Sequence, residues 1–258
     1  MSRLREPAGC PWDREQSRES LKPFLIEEAY EVLEALDSPD LDHLQEELGD
    51  LLFQVIFHCQ IAAERGEFTI AQVLARLIDK MIRRHPHVFG EASVGTPAEA
   101  LAQWEALKQQ EAHAQGRPRS VLDGVPRLLP ALLRAQRLQG KAARVNFDWP
   151  SATAAWSKVE EEIREAAAAL ASRDRVRLTE ELGNVLFSVV NVARLEGIDA
   201  EGALTAAIEK FRRRFGEMEA ELTARGKSVT SVGQDELERS WETAKARERS
   251  RGVASQQS

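Results

Sequence analysis

Four acidic residues stand in two pairs at helical spacing, Glu28 with Glu31 and Glu47 with Asp50. At about 100° per residue, positions three apart lie roughly 60° from one another, so each pair shares one helix face. Glu28 falls inside the apolar stripe Leu21, Leu25, Val32 and Leu36, where a leucine would be expected. Glu47 flanks a second stripe, Leu41, Leu44, Leu48, Leu51 and Val55. The intrusion recurs further along as Glu162, between Val159 and Ala166, with Glu165, Glu181 and Asn184 at corresponding positions. Glutamates three apart commonly form a solvated face. Both pairs lie on core-facing stripes, however, and the same spacing of 19 residues separates Glu28 from Glu47 and Glu162 from Glu181. That repetition favours carboxylates turned inward. An ionised carboxylate on a buried face is costly unless it is paired or metal-bound. Four hard oxygen donors suit Mg²⁺, with Mn²⁺ possible, rather than zinc. The Glu-x-x-His motifs of di-iron bundles are missing at these positions.

Cations and indole rings form a second constellation. Lys80 and Arg84 are four apart on one face with Arg83 beside them, and the spacing returns as Lys210 and Arg214. Basic residues in a last helical turn are stabilised by the macrodipole alone. Their recurrence favours a phosphate clamp, for which the arginine fork is suited. Trp104 with Lys108, and Trp241 with Lys245, offer a ring for base stacking and a further cation. His85-Pro86-His87 is a metal pair only superficially, because the proline ends the helix. His58 and Cys59 lie in an apolar helix and are expected to be packed. There is no G-x-x-x-x-G-K-[ST] loop, no G-x-G-x-x-G and no H-E-x-x-H.

Apolar residues return every three or four positions throughout, which predicts an all-α chain. Ser38-Pro39-Asp40 separates the first two long helices, with Asp40 as N-cap. Gly66 ends the second, Thr69 caps a third that stops before Pro86, and Thr96-Pro97 opens a fourth. The breaker-rich stretch 116–126 is expected to be a linker between a helical domain at 1–115 and another at 127–250. Helices are expected near 127–143, 151–171, 173–196, 200–224 and 234–249, with a frayed polar tail at 251–258. The second half repeats the first. Glu28-Ala29-Tyr30-Glu31 and Glu46-Glu47-Leu48-Gly49-Asp50 recur 134 positions later as Glu162-Ile163-Arg164-Glu165 and Glu180-Glu181-Leu182-Gly183-Asn184. The organisation is a tandem repeat of one helical bundle.

Composition narrows the function classes. The 258 residues carry 35 Lys and Arg against 42 Asp and Glu, a net charge of −7. Such a balance disfavours generic nucleic-acid binding, which needs clustered cations. The uncharged stretch Leu51 to Ala63 is too short for a bilayer, which needs about 20 residues. Two cysteines make no disulfide framework, and the first residues show no secretory h-region, so a cytoplasmic protein without membrane partners is expected.

With these residues in view, the chain resembles the MazG family of nucleoside triphosphate pyrophosphohydrolases, whose signature is E-E-x-x-E followed by E-x-x-D. The first copy matches as Glu27-Glu28-Ala29-Tyr30-Glu31 and Glu47-Leu48-Gly49-Asp50. Arg83-Arg84-His85-Pro86-His87-Val88-Phe89 and Ser120-Val121-Leu122-Asp123-Gly124-Val125-Pro126 also look like family stretches. The resemblance implies an all-α fold, usually a homodimer, that holds Mg²⁺ and hydrolyses NTPs and dNTPs to the monophosphate and pyrophosphate. It implies that Glu28, Glu31, Glu47 and Asp50 are the metal ligands and catalytic carboxylates. Lys80, Arg84, Trp104 and Lys108 would then contact nucleotide. In the second copy the implied metal set is Glu162, Glu165, Glu181 and Asn184, and the nucleotide set is Lys158, Lys210, Arg214, Trp241 and Lys245. Asn184 stands where the family has Asp; an amide keeps a carbonyl donor but loses the charge. Charge count therefore favours the first copy as catalytic. The competing reading is a helical nucleotide-sensing or protein-interaction module that breaks no bond.

Overall fold

A computed structural model describes residues 1–114 and 120–255. In chain order the helices are α1 (Ser2–Arg5), α2 (Pro11–Glu15), α3 (Lys22–Leu36), α4 (Leu41–Glu64), α5 (Ile70–Arg84), α6 (Pro86–Phe89), α7 (Pro97–Ala114), α8 (Ala131–Ala143), α9 (Ala152–Ala171), α10 (Arg175–Leu195), α11 (Ala200–Ala224) and α12 (Gln234–Ser255). No strand occurs among the described residues, so the chain is all-α. It divides into two compact units, Met1–Gly116 and Arg117–Ser258. Part of the expected linker, 116–119, lies outside the described residues, and Val121–Gly124 forms a turn.

The helix boundaries follow from local chemistry, and the two units reuse it. Asp40 accepts from the backbone N–H of Asp42 and His43, and Asp174 accepts from that of Arg177, so one acid caps the second long helix of each pair. Both α4 and α10 end in a Schellman turn. Glu67 N–H donates to Ala62 O and Ile198 N–H to Ala193 O, around Gly66 (φ 68°) and Gly197 (φ 69°). Thr69 and Gln72 form a full capping box at α5. Two expected boundaries move. The helix expected from 127 begins at Ala131, because Pro126 and Pro130 interrupt the chain before it. The polar segment expected to fray from 251 continues α12 through Ser255.

In the first unit α3 and α4, joined by a tight turn, form the main pair. Leu21, Phe57 and Ile61 make the core cluster, with Met1 and Phe24 packed against it. Arg5 ties the N-terminal segment to it through a bidentate pair with Glu64 (2.8 Å) and a guanidinium 5.5 Å above the Phe57 ring. The apolar stripes read from sequence are only half used. Leu21 and Val32 are buried, but Leu36 is 59 % exposed, Leu41 74 % and Leu48 50 %, and Val55 is exposed as well. Burial on α4 is concentrated in its C-terminal half, at Gln54, Phe57, Cys59, Ile61 and Ala62, and the N-terminal half is left uncovered.

In the second unit α9 and α10 pack most extensively. The buried face of α9 reads Ala155, Val159, Glu162, Ala166 and Ala169, and its small side chains admit α10 closely. Helix α8 crosses α10, where Gln139 Nε2 donates to Phe187 O at 2.8 Å. Met218, Leu222, Ser240 and Ala244 are buried where α11 meets α12. Replacing Phe57, which is fully buried, by Ala should cost about 3–5 kcal/mol through the cavity left behind. Asp174→Ala should cost about 1 kcal/mol through the lost cap. Urea unfolding of each variant against the parent checks both values.

Candidate active site

The α3–α4 pairing brings Glu28, Glu47 and Asp50 together, with one carboxylate oxygen of each inside a sphere of mutual distances of 4.8 Å or less. Glu31, one turn along from Glu28, bears on the same carboxylate. Gln54 Nε2 donates to Glu28 Oε1 at 3.3 Å, and the Gln54 Oε1 is buried with no partner. Burial pushes the Glu28 carboxyl above its ordinary range. The Gln54 hydrogen bond opposes that rise, and the negative charges of Asp50 and Glu31 add to it. His43 lies 3.3 Å from Glu47, where it helps the cluster only when protonated. The donor set is all oxygen, gathered and undercompensated, which fits a hard divalent cation.

The second unit disposes of the same charge differently. Glu162 is only 4 % exposed, and Lys158 Nζ reaches its Oε1 at 2.6 Å and Glu161 Oε1 at 2.7 Å. These carboxylates raise the Lys158 ammonium above the ordinary lysine value. Glu161, Glu162 and Glu165 form the compact acidic group here. Glu181 is held by Arg177 at 3.4 Å and by an amide hydrogen bond from Asn184 at 3.2 Å. At 134 positions earlier, Lys158 and Arg177 correspond to Phe24 and His43. The first copy thus lacks both fixed cations. Beside Glu162 a cavity of about 250 Å³ is lined by Trp149, Lys158, Asn184, Phe187, Ser188 and Asn191, among others. The Glu162 Oε2 on its wall has no partner. Asn184 uses its Nδ2 on Glu181 and Asn191 its Oδ1 on Arg194, so the two amides differ in the group they have left to offer.

The cation constellations assemble within each unit, on helices other than the carboxylate pair. Arg84 stacks over Trp104 at 5.2 Å, and its Nη2 meets Glu111 Oε2 at 2.5 Å, with Arg83 Nε on Oε1 at 3.3 Å. In the second unit Trp241 lies 5.3 Å from Phe211, and Arg213 and Arg214 both pair with Glu248, the latter at 2.5 Å. Lys80 is half-buried and Lys210 exposed, while Lys108 and Lys245 pair within their own helix with Glu105 (3.8 Å) and Glu242 (2.5 Å). His58, His85 and His87 behave as packed groups. His85 and His87 bond Met81 O and Gln103, Cys59 is buried, and burial lowers the His58 imidazole.

Several of these residues escape a reading by type alone: Gln54, Arg177, Glu111, Glu248 and the Trp149 wall. For Glu111 and Glu248 the signal exists, because each follows its tryptophan by seven positions and its lysine by three.

Comparison with known proteins gives a consistent picture. The model of the MazG nucleotide pyrophosphohydrolase domain matches twice, at residues 16–89 and 151–217. A nucleoside triphosphate pyrophosphohydrolase of Escherichia coli K12 is 47 % identical, over 96 % of this chain and 95 % of that protein. The nucleoside triphosphate pyrophosphohydrolase/pyrophosphatase MazG of Thermotoga maritima is 46 % identical over 95 % and 92 %. YabN of Bacillus subtilis, an uncharacterised protein, is 44 % identical over 95 % of this chain and half of its own length.

The raised Glu28 carboxyl has a measurable consequence. A group that binds its proton more tightly folded than unfolded favours the folded state at acid pH, and that advantage is lost as pH rises through the folded value. In metal-free protein, the melting temperature should therefore fall between mildly acid and neutral pH more steeply than in Glu28→Gln. Added Mg²⁺ should close that gap at neutral pH. Parallel pH series of thermal melts, with and without the cation, test it.

Proposed function

The chain belongs to the MazG family of nucleotide pyrophosphohydrolases, and from that premise we propose that its first copy is a Mg²⁺-dependent catalyst that hydrolyses nucleoside triphosphates to the monophosphate and pyrophosphate. The protein is a hydrolase of the nucleoside triphosphate diphosphatase class, with a housekeeping role in the nucleotide pool. The observation that carries the copy assignment is the gathering of Glu28, Glu47 and Asp50, to which no lysine or arginine is paired among the described residues.

Glu28, Glu47 and Asp50 would hold the divalent ion, with Mn²⁺ an acceptable substitute. When bound, that ion supplies charge neutralisation and a polarised phosphate oxygen. Water adds across the α–β phosphoanhydride in line with the leaving group, the anhydride bond breaks, and pyrophosphate departs. Glu31 lies outside the gathered trio and is suited to take the water's proton. Gln54, hydrogen-bonded to Glu28, holds that carboxylate in place. Lys80, Arg84 and Lys108 supply positive charge for the polyphosphate, and Trp104 supplies an aromatic face.

The second copy reads as a nucleotide-binding unit that does not turn over. Lys158 and Arg177 already neutralise Glu162 and Glu181, and Asn184 contributes no charge. Its aromatic and amide-lined cavity, close in size to the smallest ligand pockets of roughly 300 Å³, is suited to a nucleobase.

The working form is proposed to be a cytoplasmic homodimer. Helix α5 carries Ile70, Leu74, Leu77, Ile78 and Ile82 along one exposed face, and Leu41, Leu48 and Leu52 of α4 are uncovered as well. An apolar surface of this kind marks an association site. No described helix is long and apolar enough to cross a membrane.

Glu47→Ala should reduce pyrophosphate release from dNTPs by more than about a hundredfold, since loss of even a supporting partner of a metal ligand costs roughly 10–100-fold. Glu181→Ala should retain most turnover. Resolving monophosphate and pyrophosphate from diphosphate and phosphate decides the cleavage position, and inactivity confined to Glu181→Ala would move the chemistry to the second copy. Ile78→Glu should shift the protein from dimer to monomer in light scattering.

A further inference from the structure

Each unit contains the same three-residue device on helices that follow its carboxylate pair in the chain. In the first, Arg83 and Arg84 at the end of α5 close on one carboxylate of α7, Glu111. In the second, Arg213 and Arg214 of α11 close on Glu248 of α12. Trp104, Lys108 and Glu111 lie at positions i, i+4 and i+7, as do Trp241, Lys245 and Glu248, so ring, ammonium and carboxylate share one helix face. A single exposed ion pair would be unremarkable. Here the carboxylates are a quarter exposed or less, Arg84 is 15 % and Arg214 22 % exposed, and the arrangement is kept in two copies whose sequences otherwise differ widely.

The hydrogen bonds show what the glutamate does to the arginine. Glu111 Oε2 accepts from Arg84 Nε (3.1 Å) and Nη2 (2.5 Å), so it sits on the side edge of the guanidinium. Glu248 Oε2 accepts from Arg214 Nε (2.5 Å), on the same edge. An arginine has five N–H donors in a rigid plane. Among the described residues two are used in Arg84 and one in Arg214, and none of these bonds involves Nη1. The Arg84 Cζ also lies 5.2 Å over the Trp104 ring, a second contact on the same guanidinium. The paired arginines lower the Glu111 and Glu248 carboxyls, so both stay ionised at neutral pH.

We propose that Glu111, and Glu248 in the second copy, are positioning residues that hold the side edge of Arg84 and Arg214 so that the outer fork is presented to the polyphosphate of the substrate. The inference rests on the reading above that these arginines meet phosphate. Two other roles make opposite forecasts. A carboxylate that merely competes with phosphate weakens binding, and its removal tightens it. A purely structural ion pair moves stability and nothing else.

The test uses full-length protein with dTTP and Mg²⁺, following pyrophosphate release at steady state beside thermal melts. Glu111→Gln keeps the shape and removes the charge; Glu111→Asp keeps the charge and shortens the reach. The expected result is a KM about tenfold higher in Glu111→Gln, a smaller rise in Glu111→Asp, and kcat within about threefold of the parent. Glu248→Gln is assayed alongside. A KM rise confined to Glu248→Gln supports the positioning role while placing turnover in the second copy, which separates failure of the copy assignment from failure of this inference. A lower KM in the variant of the active copy, or a lowered melting temperature with KM unchanged in both, overturns it.

Discussion

Carboxylates placed on a helix face that must be packed are the constraint around which this molecule is organised. Such a group has to be desolvated, and desolvation favours its neutral form unless a cation stands close. The two copies answer that demand in different ways. In the second, Lys158 and Arg177 are part of the chain and each pairs with one carboxylate oxygen, on Glu162 Oε1 and Glu181 Oε1, while Glu162 Oε2 is left without a partner. In the first, the corresponding positions hold Phe24 and His43, and burial, reinforced by the charges of Asp50 and Glu31, raises the Glu28 carboxyl. The proposed division of labour, an exchangeable ion in the first copy and fixed cations in the second, follows from that difference.

The arginines obey the same rule from the opposite side. Two adjacent guanidinium groups repel, and one glutamate between them makes the arrangement stable while it settles which edge faces outward. Charge compensation and orientation are thus one interaction. The long helices themselves are modest in core. Leu21, Phe57 and Ile61 form a small cluster, and much of the leucine content of α4 and α5 is uncovered in a single copy. A second copy that covers those faces would supply the burial that the first unit lacks.

The fold class and the repeat were legible because helical periodicity and capping are local. Asp40, Thr69, Gly66 and Pro97 each act within about four residues, and all four mark boundaries that the structure keeps. The gathering of Glu28 with Glu47 and Asp50 was legible for a related reason, since a tight turn forces consecutive helices to lie side by side. Burial was read less well. Leu36, Leu41 and Leu48 have the right spacing for a core but no partner helix over them, and spacing says nothing about what lies opposite. The partners of the charged residues were also beyond reach. Gln54 on Glu28, Glu111 on Arg84 and Arg194 on Asp148 join positions 26, 27 and 46 residues apart.

By itself the sequence determined the helices, their caps, the duplication and the identity of the acids and bases, because each depends on short-range sterics and on residue type. Tertiary structure alone decided which charges are compensated and by whom. Lys158 pairs with Glu162 from one turn away, while no lysine or arginine among the described residues pairs with Glu28, and Coulomb energy depends on the distance and burial that only packing supplies.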